Sequence, residues 1–139
     1  MTALASMTAE RYQRIRKLLA TRQPSLTICL EQVNKPHNVS ALIRSCDAVG
    51  INRIHAVWDN KARLRKKTSM GAENWVYTDM HPSIGDAVSH LKQQGMQVLV
   101  THLSDDAVDF REIDYTKPTA IILGQEKTGA TEEAIALAD

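Results

Sequence analysis

The sequence predicts an α/β protein in which a parallel sheet carries helices on both of its faces. Three observations lead there. The short apolar runs LTICL (26–30), QVLVT (97–101) and TAIIL (119–123) are continuous rather than alternating, as in strands covered on both sides. Amphipathic stretches with recognisable start and stop residues lie between such runs. Strand-like and helix-like segments then alternate along the chain, the order that builds parallel neighbours through helical crossovers.

Residues 7–22 open the series as an amphipathic helix. Thr8 can cap it, Tyr12, Ile15, Leu18 and Leu19 recur at helical spacing, and Gln23-Pro24 ends it, because a residue before proline avoids the helical region. The first strand is Leu26–Leu30. Asn38–Val49 is the second helix, with Asn38 or Ser40 as cap, an apolar stripe of Leu42, Ile43, Cys46 and Val49, and Gly50 as terminator. Arg53–Trp58 forms a strand, Lys61–Lys67 a basic loop, and Trp75–Tyr77 a short third strand. Ser83 caps a helix over Ile84–Gln94 that stops at Gly95. The strand Gln97–Thr101, an acidic connection around 105–114, the strand Thr119–Leu123 and a helix over Thr131–Ala138 complete the pattern.

At 43% apolar and 24% charged, the composition is that of a globular protein. No apolar run approaches the roughly 20 residues that cross a bilayer, so no membrane partner is expected. Residues 1–6 have neither a basic start nor an apolar stretch and do not read as a signal peptide; Met7 could equally be the native start. Cys29 and Cys46 have no metal-ligand spacing and read as buried thiols, which makes a cytoplasmic location the default. Charge is unevenly distributed. Residues 1–67 carry 13 Lys and Arg against 4 Asp and Glu, whereas residues 68–139 carry 4 against 12. That asymmetry fits one face for a polyanion, and it equally fits two solvated faces.

Three stretches could carry chemistry. In NKPHNVSALIRSCDAVG (34–50) a turn with Pro36, His37 and Asn38 leads into a helix bearing Arg44. Arg44 lies six positions after Asn38 on the helix, so the two are about 120° apart around the axis. The open N–H groups at the start of that helix favour an anionic group. Arg44 leaves the apolar stripe, which by itself is also the pattern of a solvated side chain. In GQEKTG (124–129) two glycines bracket Glu126, Lys127 and Thr128 between a strand and a helix, where ligands bind in open α/β sheets. A triphosphate-binding loop is excluded, because Glu126 stands where that motif has glycine before its lysine. The third stretch joins Lys61, Arg63, Arg65, Lys66 and Lys67 to Arg11, Arg14, Lys17 and Arg22 of the first helix, all suited to nucleic-acid phosphates. No metal is expected: His37, His55, His81, His90 and His102 lack ligand spacing, and Asp105, Asp106 and Asp109 read as a charged loop.

EQVNKPHNVSALIRSCDAVG, THLSD and ILGQEKTG, in this order, resemble the SpoU/TrmH branch of the SPOUT methyltransferase superfamily. The resemblance runs from about residue 10 to residue 139, and it rests on Asn-x5-Arg-x5-Gly together with a strand followed by Gly-x-Glu. It implies a Rossmann-like SPOUT fold, S-adenosylmethionine as cofactor without a metal, tRNA as partner and, in the full-length family, a homodimer. The implied reaction is methylation of a ribose 2'-hydroxyl at the D-loop guanosine 18. Implied catalytic residues are Arg44, Asn38 and Glu126; implied cofactor-binding residues are Thr101, Leu103, Leu123 and Gly124. Arg44 would take the hydroxyl proton with help from a phosphate, or would orient the hydroxyl and stabilise developing charge.

On this reading residues 1–25 form a basic helical extension and residues 26–139 a truncated methyltransferase domain. The third family motif and the trefoil-knot part are expected beyond Asp139, so the fold is expected to be incomplete and the chain inactive or nearly so. A non-catalytic RNA-binding module using the basic helix and loop is the competing expectation. A receiver-like or flavodoxin-like domain would need a paired acidic site or a flavin-phosphate loop near the first strand, and the sequence has neither.

Overall fold

The computed structural model describes residues 7–58 and 76–139. Helix α1 (Ala9–Ala20) starts at Thr8, whose hydroxyl accepts from the Arg11 N–H. Strand β1 (Leu26–Glu31), helix α2 (Pro36–Val49), strands β2 (Arg53–Val57) and β3 (Tyr77–Met80), helix α3 (Ile84–Gln93), strand β4 (Gln97–Val100), strand β5 (Thr119–Leu123) and helix α4 (Glu132–Leu137) follow. All pairings are parallel, and the strand order is β3-β2-β1-β5-β4. The expected α/β class is therefore the observed one.

Period-two alternation in the central strands divides the core in two. On one face Ile28 and Leu30 of β1 and Ile54 and Ala56 of β2 meet Val39, Ile43 and Cys46 of α2. On the other, Cys29, Ala120 and Ile122 meet Ala87, Val88 and Leu91 of α3 and Ala134 of α4. Helices thus cover both faces, and the continuous apolar strands follow directly. Among the described residues no helix is long and apolar enough to cross a membrane.

Helix α1 contributes no buried residue and is tied in at its end. Arg22 places its guanidinium 2.7 Å from Oδ1 of Asp47 on α2 and donates to the Asp47 carbonyl at 3.0 Å. The Gln23 N–H donates to the Gly50 carbonyl at 2.7 Å. Gly50 has φ +88°, and a Cβ there would meet the Thr21 carbonyl oxygen at 2.3 Å, so only glycine lets the two segments touch.

Several element ends differ from the sequence reading by a few residues, and three of the differences have a physical reason. Helix α2 begins at Pro36 rather than Asn38, with Lys35 as a cap that offers no side chain; proline suits a first helical position because its missing N–H is unneeded there. Neither Asn38 nor Ser40 caps it. Strand β3 occupies Tyr77–Met80 instead of Trp75–Tyr77; it is an edge strand with no fully buried position, so no apolar run marks it. Helix α4 is shorter than Thr131–Ala138, with Thr131 as its cap. Trp75 and the basic loop 61–67 lie outside the described residues.

Where β2 and β3 face α3, three histidine rings gather. His55, His81 and His90 have centroids 5.2–5.6 Å apart, and Nδ1 of His55 is 3.0 Å from Nε2 of His81. Burial first, and the His81 ring second, hold the His55 pKa down at about 4; Asp79 opposes them, while His90 and Arg53 add to the depression. His81 is lowered as well, chiefly by burial and then by His90, against Asp79 and Asp86. A histidine neutral in the fold and free to charge when unfolded contributes stability that is complete above the unfolded value of 6.5. That stability is lost as pH falls below 6.5 towards about 4. The denaturation midpoint should therefore drop between pH 7 and pH 5, and His55→Gln should flatten the dependence. A wild-type midpoint constant over that interval would contradict the assignment.

Candidate functional site

In this sheet β1 has β2 on one side and β5 on the other. The connection leaving β1 runs through α2 on one face, and the connection leaving β5 runs to α4 on the opposite face. Connections that part in this way leave a crevice beyond the carboxyl ends of the two strands, the usual ligand position in open α/β sheets. A cleft of about 390 Å³ occupies it. Val33, Leu42 and Leu123 supply apolar walls, and Asn38, Gly124 and Glu126 line it as well.

Glu126 joins the two sides. Its Oε1 accepts from the Asn38 side-chain amide at 3.0 Å and from the Lys35 backbone N–H at 3.3 Å. Helix α2, which lacks a side-chain cap of its own, is thereby capped by a carboxylate from another part of the chain, where negative charge is favoured. Desolvation pushes the Glu126 carboxyl up. Hydrogen bonds from its own backbone N–H, from the Asn38 amide and from the Lys35 and Asn34 backbone outweigh it, and the group lies below its ordinary range. The expected open, phosphate-seeking start of α2 is thus filled by the protein's own anion.

The segment between β5 and α4 is a tight bend. Gln125 and Gly129 exchange backbone hydrogen bonds of 3.2 and 2.8 Å, and the Thr128 hydroxyl donates to the Gln125 side chain at 2.8 Å. A Cβ on Gly124 would meet Ala130 N at 2.2 Å and Gly129 C at 2.3 Å, so the bend closes only over a glycine.

Other expected residues are distributed as follows. Thr101 lies just past β4, its N–H and hydroxyl both donating to the Ile122 carbonyl, at 3.1 and 3.2 Å. Leu103 is 98% exposed. Arg44 is exposed on α2 and does not itself line the cleft, although its helix neighbours Ala41 and Ser45 do. Arg11, Arg14 and Lys17 are exposed on α1, whereas the Arg22 side chain is 6% exposed and engaged with Asp47, so it is not presented to a phosphate. Lys61, Arg63, Arg65, Lys66 and Lys67 lie outside the described residues. Among the described residues no group of His, Cys, Asp or Glu side chains is arranged to hold a metal ion.

Sequence reasoning missed Glu31, a buried carboxylate at the end of β1. Its two oxygens accept from the Thr131 N–H at 2.8 Å and the Thr131 hydroxyl at 2.7 Å. A carboxylate ending an otherwise apolar strand run was the available signal.

Residues 25–139 match the SpoU rRNA Methylase family. The chain is 61% identical over 134 residues to a tRNA (guanosine(18)-2'-O)-methyltransferase of Escherichia coli, covering 96% of this chain and 58% of that relative's length. A crystal structure of the Aquifex aeolicus TrmH/SpoU tRNA modifying enzyme superposes with a TM-score of 0.86 at 34% identity, over 94% of this chain and 67% of that one. An AdoMet-bound rRNA methyltransferase from Sinorhizobium meliloti is similar at 26% identity and a TM-score of 0.69, over 85% and 46% of the two chains.

The crowding at Gly124 yields a test of the bend. Gly124→Ala should destabilise the chain by about 1–3 kcal/mol, the usual penalty of overpacking, read from urea unfolding. Unchanged stability would show that the bend relaxes freely.

Proposed function

The chain belongs to the SpoU rRNA Methylase family, and from that premise we propose that the whole protein methylates a tRNA ribose 2'-hydroxyl, at the D-loop guanosine 18, using S-adenosylmethionine. The observation carrying this reading is the meeting of Asn38, Gly124 and Glu126 at the β1/β5 cleft, on the motifs that bear the family resemblance. The reading assigns residues 26–139 to the methyltransferase domain and residues 1–25 to a basic extension for tRNA. In keeping with the family, it has the protein act as a homodimer in the cytoplasm.

The cleft suits such a cofactor. Its volume falls within the range of small-molecule sites, and its walls are mainly apolar with a few polar groups. Glu126, the one carboxylate among the described residues that line the cleft, favours a ligand with a cationic centre over one bearing phosphates. When bound there, S-adenosylmethionine supplies an electrophilic methyl group on a positively charged sulfur.

What the chain contributes is placement and charge. Leu123 ends β5 and Gly124 follows it at the cleft wall, and Thr101 and Leu103 lie just beyond the end of neighbouring β4. Asn38 and Glu126 hold the start of α2 against the Gly124 bend, so the helix that carries Arg44 is fixed relative to the cofactor side. A guanidinium scarcely gives up its proton. Arg44 therefore serves best by holding the ribose hydroxyl and stabilising negative charge as it develops on the oxygen. Arg11, Arg14 and Lys17 on α1 contact phosphates, which sets register without reading sequence.

In the whole protein, Arg44→Ala should lower methyl transfer by about 100- to 1,000-fold while tRNA affinity, measured by filter binding, stays within roughly threefold. Normal turnover by the variant would remove Arg44 from the chemistry, and an unsubstituted protein that binds tRNA without any turnover would favour the non-catalytic RNA-binding module. Replacing Arg11, Arg14 and Lys17 together by alanine should weaken tRNA binding. It should also reduce the slope of log K against log salt by about 0.7–0.9 per lost contact; an unchanged slope would place the RNA elsewhere.

A further inference from the structure

We propose that Glu31 is the positioning residue of the candidate site, anchoring the 124–131 bend so that Glu126 reaches the start of α2. The proposal rests on the methyltransferase reading for its functional meaning, while the contacts behind it are structural.

Glu31 is the last residue of β1 and only 3% exposed. A carboxylate in such a place needs full hydrogen bonding to be tolerated. Thr131 supplies it twice, with its N–H at 2.8 Å and its hydroxyl at 2.7 Å. The same hydroxyl oxygen accepts from the Ala134 N–H at 3.2 Å and so caps α4. One residue therefore receives the bend, starts the helix and is tied to the central strand, 100 positions earlier in sequence.

Four residues lie between Glu126 and Thr131, and the segment has little freedom. The paired backbone bonds of Gln125 and Gly129 close the bend on itself, and Gly124 packs against the 129–130 backbone. A bend that is internally rigid moves as a unit. Its far end is fixed by Glu31, and its near end carries the carboxylate that meets Lys35 and Asn38. Immediately after Glu31, Gln32 has φ +55° and donates its N–H to the Val57 carbonyl at 2.9 Å. The left-handed turn is costly for a residue with a side chain. It redirects the chain out of β1 towards Val33 and the cleft, so β1 holds Glu31 inward while the next residues line the site.

The test is a carboxyl-carbon NMR titration of Glu126 in the wild-type chain and in two variants. Glu31→Gln leaves one acceptor where there were two, and Thr131→Val removes the hydroxyl while keeping the size. If Glu31 positions the bend, both variants let Glu126 draw away from Lys35 and Asn38, and its pKa rises from its lowered position towards the ordinary carboxylate value. Thr8→Ala removes the cap of α1, whose C-cap Thr21 meets Gly50 at the far end of α2, and should leave the Glu126 titration unchanged. A Glu126 titration that stays at the wild-type value in both bend variants, with only the thermal midpoint lowered, would overturn the proposal and leave Glu31 a structural anchor. Because the readout needs no turnover, failure of the methyl-transfer reading would leave this result standing on its own.

Discussion

The reversal of winding between β1 and β5 is the constraint on which the rest of the molecule depends. The crossover from β1 to β2 passes through α2 on one face of the sheet, and the segment leaving β5 reaches α4 on the other. Backbone ends that would otherwise be covered by a helix are therefore left open at one place. Everything directed at a ligand hangs from that opening: α2 starts at one rim, the Gly124 bend forms the other, and the cleft lies between them.

An opening of this kind is a weakness unless something closes its rims, and two carboxylates do so. Glu126 satisfies the start of a helix that has no cap of its own, and Glu31 satisfies the start of α4. Both place negative charge where a helix N-terminus favours it. Both also join segments about 90 to 100 residues apart in sequence, which turns two separate local structures into one site. A further tie, between Arg22 and Asp47, fastens the basic helix to α2 and orients its remaining cations outward.

Much of this was legible in the sequence because it is local. The continuous apolar strands, the stop at Gly50 and the caps Thr8 and Ser83 act within a few residues of themselves. So the α/β class, the central strands and the glycine bend near Glu126 could all be read directly. What could not be read depends on distant contacts or on edges. The α2 start was misplaced because Asn38 resembles a cap, and only the structure shows its amide turned to Glu126. Strand β3 is short and polar at an edge, where burial imposes no pattern. Arg22 looked like a surface cation until Asp47 was placed beside it, and Glu31 acquires its meaning only through Thr131.

The central claim is that the β1/β5 cleft receives S-adenosylmethionine. Its most direct test is a titration of the whole protein with S-adenosylmethionine, followed residue by residue through backbone amide chemical shifts. Saturable shifts concentrated at 101–103 and 123–126 and at the start of α2 are expected. Absence of saturable shifts, or shifts gathered instead around the histidine cluster or the amino ends of the strands, would contradict the claim.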